Sequence, residues 1–215
     1  EALSGEILFN GAYSTADHAA QPAIDMNYTV KNIDVQQAFY AFNTIQKLMP
    51  VGKFFSGKLN SEMNMTGVLG KDMMPDLSTL TGSGNLLLLE GVMKKFAPVE
   101  KLASDLGITD LQEISLKDIK NYFQFSRGKM LVKPFNVSVK DIQMQIGGVQ
   151  GIDQTMDYLV QMKLPRSLMG TKGNEVVNNL ISQANAKGIP ASVREVVDLN
   201  VRMMGTILKP QIVID

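Results

Sequence analysis

The sequence predicts an α+β fold: a strongly curved, mainly antiparallel β-sheet with about three amphipathic helices packed on its apolar side or ends. Three observations carry this. Apolar and polar residues alternate with period two over many short runs, the pattern of strands with one covered and one wet face. Three other runs repeat their apolar residues at helical spacing. Glycine and proline recur between the strand-like runs, where a chain reverses or bends.

In chain order, Ser4 to Tyr13 reads as a strand through Ile7 and Phe9. A polar loop, Ser14 to Gln21, holds the single histidine, His18, which reads as an ordinary exposed side chain. Pro22 opens a second strand with Ile24, Met26, Tyr28 and Val30 on one face. Asp34 is a good helix N-cap, and Gln37 three residues later completes a capping-box pattern. Val35, Ala38, Phe39, Phe42, Ile45, Leu48 and Met49 then form one apolar stripe, stopped by Pro50 and Gly52, and the stripe predicts that Phe39 and Phe42 are both buried. Phe55 to Leu69 is a strand with Leu59, Ser61, Met63 and Met65 on one face. After an irregular segment, Gly82 to Val92 forms a strand whose four consecutive leucines face both ways, so it is either covered on both faces or poorly registered. Pro98 suits the first turn of a second helix, with Leu102, Ala103 and Leu106 on its stripe and Gly107 as its stop.

Leu116 to Leu164 is the organising stretch, and it predicts a continuous antiparallel meander of four strands. Ile119, Asn121, Phe123 and Phe125 share a face in the first, and Arg127-Gly128 supplies a tight turn. Pro134 marks a break or an edge position in the next, which continues through Phe135, Val137 and Val139. Ile142, Met144 and Ile146 alternate with glutamines up to Gly147-Gly148, and Met156, Tyr158, Val160, Met162 and Leu164 share a face in the last. Asn174 then reads as the cap of a third helix carrying Val176, Val177, Leu180, Ile181 and Ala184, ended by Gly188. Strands from Asp198 to Gly205 and from Pro210 to Asp215 follow.

Composition narrows the function. Lys+Arg and Asp+Glu both number 21, and no basic cluster stands out, which argues against nucleic acid as a partner. Cysteine is absent, so thiolate chemistry and disulfides are excluded. Methionine is abundant, at 14 residues, and suits either core filling or surfaces that adapt to variable apolar partners. The chain opens at Glu1 already in strand-like sequence, and is read as a segment excised from a longer protein.

No catalytic, cofactor-binding or metal-binding residues are assigned, and the chain is read as non-enzymatic. One histidine and scattered acids do not make a ligand set, and the Asp72, Asp76 and Asp105, Asp110 pairs read as turn and cap residues. Gly82-Ser83-Gly84 and the glycines of 147–151 lack the Gly-Lys-Ser/Thr ending of a phosphate loop and read as hairpin turns. Ser167 has no nucleophile elbow around it.

Several stretches together resemble the C-terminal region of the AsmA-like family. They are Gly205-Thr206-Ile207-Leu208-Lys209-Pro210-Gln211-Ile212, Leu164-Pro165-Arg166-Ser167, Gly151-Ile152-Asp153-Gln154-Thr155-Met156-Asp157-Tyr158 and Gly82-Ser83-Gly84-Asn85-Leu86. Their order and spacing carry the resemblance, which covers most of the chain, residues 1–215 as a single domain. It implies a periplasmic segment of an inner-membrane-anchored protein of Gram-negative bacteria, assisting outer-membrane biogenesis or lipid transfer through an apolar sheet face. The implied partners are a phospholipid or other envelope lipid and other segments of the same protein, with membrane contact only through parts absent from this chain. On that reading Ile142, Met144, Ile146, Met156, Tyr158, Val160 and Met162 are the candidate lipid-facing residues. The alternative is a structural or interaction module whose sheet edges add strands from a partner.

Overall fold

Every strand of the sheet lies beside its neighbour in sequence. The computed structural model describes residues 4–15 and 21–214, and for Thr44, Lys47 and Leu48 it describes the backbone only. His18 lies outside the described residues. The strands are β1 (Glu6–Ser14), β2 (Ala23–Asp34), β3 (Phe55–Val68), β4 (Thr81–Lys94), β5 (Glu113–Ser126), β6 (Lys129–Val139), β7 (Ile142–Gly151), β8 (Thr155–Pro165), β9 (Val196–Thr206) and β10 (Lys209–Ile214). They form one sheet in that order, with every ladder antiparallel. The predicted meander from Leu116 to Leu164 is therefore present as β5 to β8. The helices are α1 (Val35–Ala41), α2 (Asn43–Leu48), α3 (Ala97–Leu106) and α4 (Thr171–Ala186).

The sheet curls strongly. α3 sits in the connection from β4 to β5, yet it packs on β10. Strands are spaced about 4.8 Å apart, so a flat sheet would hold β5 and β10 roughly 24 Å from each other. Only a sheet rolled toward its own inner face lets one helix meet both. It does not close, because β1 and β10 form no ladder with each other.

Bulges bend the strands where the roll is needed. The β2–β3 register shifts between Val30 and Ile33, where Asn32 has φ 56°, and the β3–β4 register shifts between Lys58 and Leu59, one residue past Gly57. In β4 the inward set passes from Leu86 and Leu88 to Gly91 and Met93, so the four-leucine run is a strand crossing a bulge. At Pro134 the β6–β7 register shifts and the β5–β6 ladder stops at Val132. Proline has no N–H to continue that ladder, and the Asn121 side-chain Nδ2 donates instead to the Lys133 carbonyl at 3.0 Å.

Four expectations are corrected. The stripe from Val35 to Met49 is not one helix, because Phe42 has φ −125° and ψ 111° and separates α1 from α2. A straight helix of 15 residues would carry the chain about 22 Å away, whereas Lys58 must return to pair with Asp34. The break turns the connection back. Phe39 is consequently buried, at 7 % exposure, and Phe42 is exposed, at 44 %.

The other three corrections are local. Asp34 does cap α1, its Oδ1 accepting from the Gln37 backbone N–H at 2.8 Å, but the Gln37 side chain accepts from the Ser4 hydroxyl rather than closing a capping box. α4 starts at Thr171 with Gly170 as its cap; Asn174 lies one turn in, where its Nδ2 donates to the carbonyls of Met169 and Gly170. The glycine runs at 82–84 and 147–151 lie inside β4 and β7, not in turns. Their bare backbone is covered by rings: a Cβ on Gly148 would lie 2.9 Å from Tyr158 Cδ1, and one on Gly84 would lie 2.6 Å from Phe123 Cζ.

Two clusters of buried side chains result. The larger joins α3, α4 and the inner face of β5 to β9, including Leu102, Leu106, Ile142, Met162, Leu164 and Val201. α3 and α4 meet closely at Gly173, where any side chain would run into the Leu106 carbonyl. The smaller cluster joins β2, β3, β5 and β6 through Ile24, Met63, Met65, Phe123, Phe125 and Met130, with Leu69 and Leu80 from the connection after β3.

Candidate functional site

Between the helices and the second cluster, the inner face of the rolled sheet is left partly uncovered. A cavity of about 250 Å³ lies there. Its floor comes from alternate residues of β3 to β9, such as Leu59, Leu86, Phe123, Phe135, Val137 and Met203. Its ends come from the β2–β3 connection, through Val35, Met49 and Val51, and from α3 through Val99 and Leu102.

Among the described residues, no Lys, Arg, Asp, Glu or His lines the cavity. The polar side chains that do are Asn121, Gln150 and Tyr158. Six of the chain's 14 methionines, Met49, Met93, Met130, Met144, Met156 and Met203, are part of the lining. Unbranched thioethers change rotamer at little cost, so this wall adapts to the shape of an apolar occupant.

Five of the seven residues predicted to face a lipid meet in this cavity: Met144, Ile146, Met156, Tyr158 and Val160. Their ladder is regular, with Ile146 opposite Val160, Gly148 opposite Tyr158 and Gln150 opposite Met156. Ile142 and Met162 share that face but lie at its covered end, in the larger cluster of buried side chains. Met162 stands directly opposite Met144, so the boundary between packed core and open cavity falls within one cross-strand pair.

The wall from β3 to β6 and Met203 lie outside the predicted lipid-facing set. All of these alternate in the same way as the residues selected; which part of the face stays uncovered depends on helices remote in sequence. Gln150 also lies outside that set, although its place two residues beyond Gly148 on the inward set is a readable signal.

The polar groups are held in defined ways. Gln150 is 2 % exposed, and its Nε2 donates to the carbonyls of Thr155, at 3.1 Å, and Gly151, at 3.4 Å. The Tyr158 hydroxyl has no hydrogen-bond partner among the described residues, and its removal from water pushes the phenol pKa well above its ordinary range. Tyr28, in the neighbouring part of the sheet, is also raised by burial, an effect partly offset by its contact with the Ser61 hydroxyl at 3.3 Å.

Among the described residues there is no group of three or more His, Cys, Asp or Glu side chains able to hold a metal ion. Among the same residues, no helix is long and apolar enough to cross a membrane. Asp72 and Asp76 accept from backbone N–H groups two residues ahead, as turn residues do. No protein-family model, curated protein or solved structure matches the chain.

Proposed function

We propose that this chain is a non-enzymatic lipid-handling segment whose rolled sheet shelters acyl chains on its inner face. The observation that carries the proposal is the uncharged, methionine-rich cavity in an open sheet. Moving a methylene from water into such a place is favourable by about 0.8 kcal/mol. A chain of several carbons therefore offsets much of the cost of leaving a bilayer, with no reaction and no cofactor. On this reading the resemblance to the AsmA-like family supplies the setting: a periplasmic segment of an inner-membrane-anchored protein, acting in outer-membrane biogenesis or lipid transfer.

A second reading has its own support. β1 is a regular edge strand exposed along its whole length, with Leu8, Phe9 and Tyr13 each more than half exposed. Such an edge can accept another strand, as an interaction module would require.

The test is photo-crosslinking from vesicles containing a phospholipid with a photoreactive acyl chain. Label is expected on Met144, Ile146, Met156 or Val160, and not on the outward Gln143, Gln145 or Gln161. Ile146→Asp would put a charge beside the chain, and the folded variant should lose most of the label. Absent label, or equal label on both faces, would leave the edge-strand reading standing alone.

A further inference from the structure

The cavity is apolar almost throughout, so the few polar groups in it restrict what can lie there. Gln150 is nearly sealed from solvent, and both partners of its amide are carbonyl oxygens. Two acceptors require the NH2 end of the amide, which fixes its orientation and turns Oε1 away from them. Oε1 accepts no hydrogen bond from a described residue. It is not walled in either: among the described residues, the buried side-chain nitrogen or oxygen lacking a partner is Arg166 Nη1. Gln150 lines the cavity, so its free acceptor opens there.

Tyr158 supplies the complementary group. It lies diagonally across the β7–β8 ladder from Gln150, on the same face, since Gln150 pairs with Met156 and Gly148 with Tyr158. Diagonal neighbours sit about 7–8 Å apart, within reach of long side chains. The Tyr158 ring lies over Gly148, immediately beside Gln150 on the inward set. Its hydroxyl can both donate and accept.

We propose that Gln150 and Tyr158 form a polar station in the trough that selects a single alkyl chain bearing an uncharged hydroxyl group. The inference rests on the acyl-chain reading above. A hydroxyl matches both groups at once, giving its hydrogen to Gln150 Oε1 and accepting from the Tyr158 hydroxyl. An ester or ether oxygen accepts only, and leaves the Gln150 acceptor without a donor in an apolar site, which is unfavourable. A phosphate or carboxylate would meet no cation among the lining residues. The size also decides: about 250 Å³ lies below the ~300–1,000 Å³ of sites that enclose a drug-sized ligand, which favours one chain over two.

Isothermal titration of the whole chain with decanol and with methyl nonyl ether, which has the same number of heavy atoms, tests this. Decanol should bind about five- to tenfold more tightly, the ratio expected for one satisfied hydrogen bond. Gln150→Met removes the acceptor that tells the probes apart and should bring the ratio close to one, whereas Tyr158→Phe, which keeps the ring over Gly148, removes a donor that both oxygens can use and should weaken both probes alike. Equal binding of the two probes by the wild-type chain, a ratio that a folded Gln150→Met leaves unchanged, or probe affinities that Tyr158→Phe leaves unchanged, overturns the polar station and leaves the apolar trough in place. Failure of both probes to bind overturns the station together with the acyl-chain reading.

Discussion

The first and ninth strands make an instructive pair. Both alternate, both lie at or next to an edge, and both offer large aliphatic or aromatic side chains to the inner face. In β9 the alternation is matched by cover: Val197, Leu199, Val201 and Met203 are buried while Asp198, Asn200 and Arg202 are exposed. In β1 no residue is covered on either face, and Phe9 is 60 % exposed. The difference comes from elsewhere in the chain. α3 packs on β10 and on α4, and both helices share a buried cluster with β8 and β9, while α1 packs on β2 and β3. Alternation states which residues share a face; it does not state whether anything lies on that face. The cavity occupies the place where the cover from the helices runs out.

A charge placed at equivalent inward positions should break this pair apart most clearly. Val201 is fully buried, so Val201→Asp places an unpaired carboxylate in the core and should cost more than about 4 kcal/mol, enough to abolish cooperative urea unfolding. Ile7 is also inward, opposite Val30, but is 41 % exposed. Ile7→Asp should move stability by no more than about 1 kcal/mol. A large loss at Ile7 that depends on protein concentration would mean that a second molecule covers the open end in solution.

The same contrast exists inside one predicted stripe, with a smaller effect. Phe39→Ala should cost about 3–5 kcal/mol, because its ring is buried and packs within 3.0 Å of where a Gly52 side chain would begin. Phe42→Ala should cost less than about 1 kcal/mol. Equal shifts in the two unfolding midpoints would restore the single continuous helix that the spacing alone predicts.

These cases mark how much was legible. The strands, the Asp34 and Gly107 caps and the inward sets outside the four-leucine strand follow from local chemistry, and these are found. The five cavity residues on β7 and β8 were legible for the same reason. The break at Phe42 was not, because it answers to the pairing of Asp34 with Lys58, a constraint outside the stripe. The glycines of β4 and β7 read as turns in the sequence because their partners, the Phe123 and Tyr158 rings, stand on other strands. Ile142 and Met162 could not be separated from Met144, since the helix end that covers them is set by how far the sheet rolls.

The smallest effect tests the outer face of the covered end, where solvent reaches the ladder. Asp157 and Arg202 face each other diagonally across β8 and β9, with Nε donating to Oδ1 at 2.9 Å and Nη2 to Oδ2 at 2.8 Å. The hydrogen bonds from Arg202 hold the Asp157 pKa below the usual carboxylate range, and both side chains are more than half exposed. A carboxyl group whose folded pKa is depressed stabilises the fold at pH values above its unfolded pKa, about 4. It loses that contribution as pH falls through the folded value. Wild type should therefore exceed Asp157→Asn by a small margin at pH 7, and the margin should vanish toward pH 2 and shrink in high salt. Asp153 in the neighbouring hairpin also has a depressed pKa, through its bonds from Thr155. It is present in both proteins, so the difference between their urea midpoints isolates Asp157. A margin that stays constant from neutral to acid pH would assign the effect to packing of the two stems across the ladder and not to the charge on Asp157.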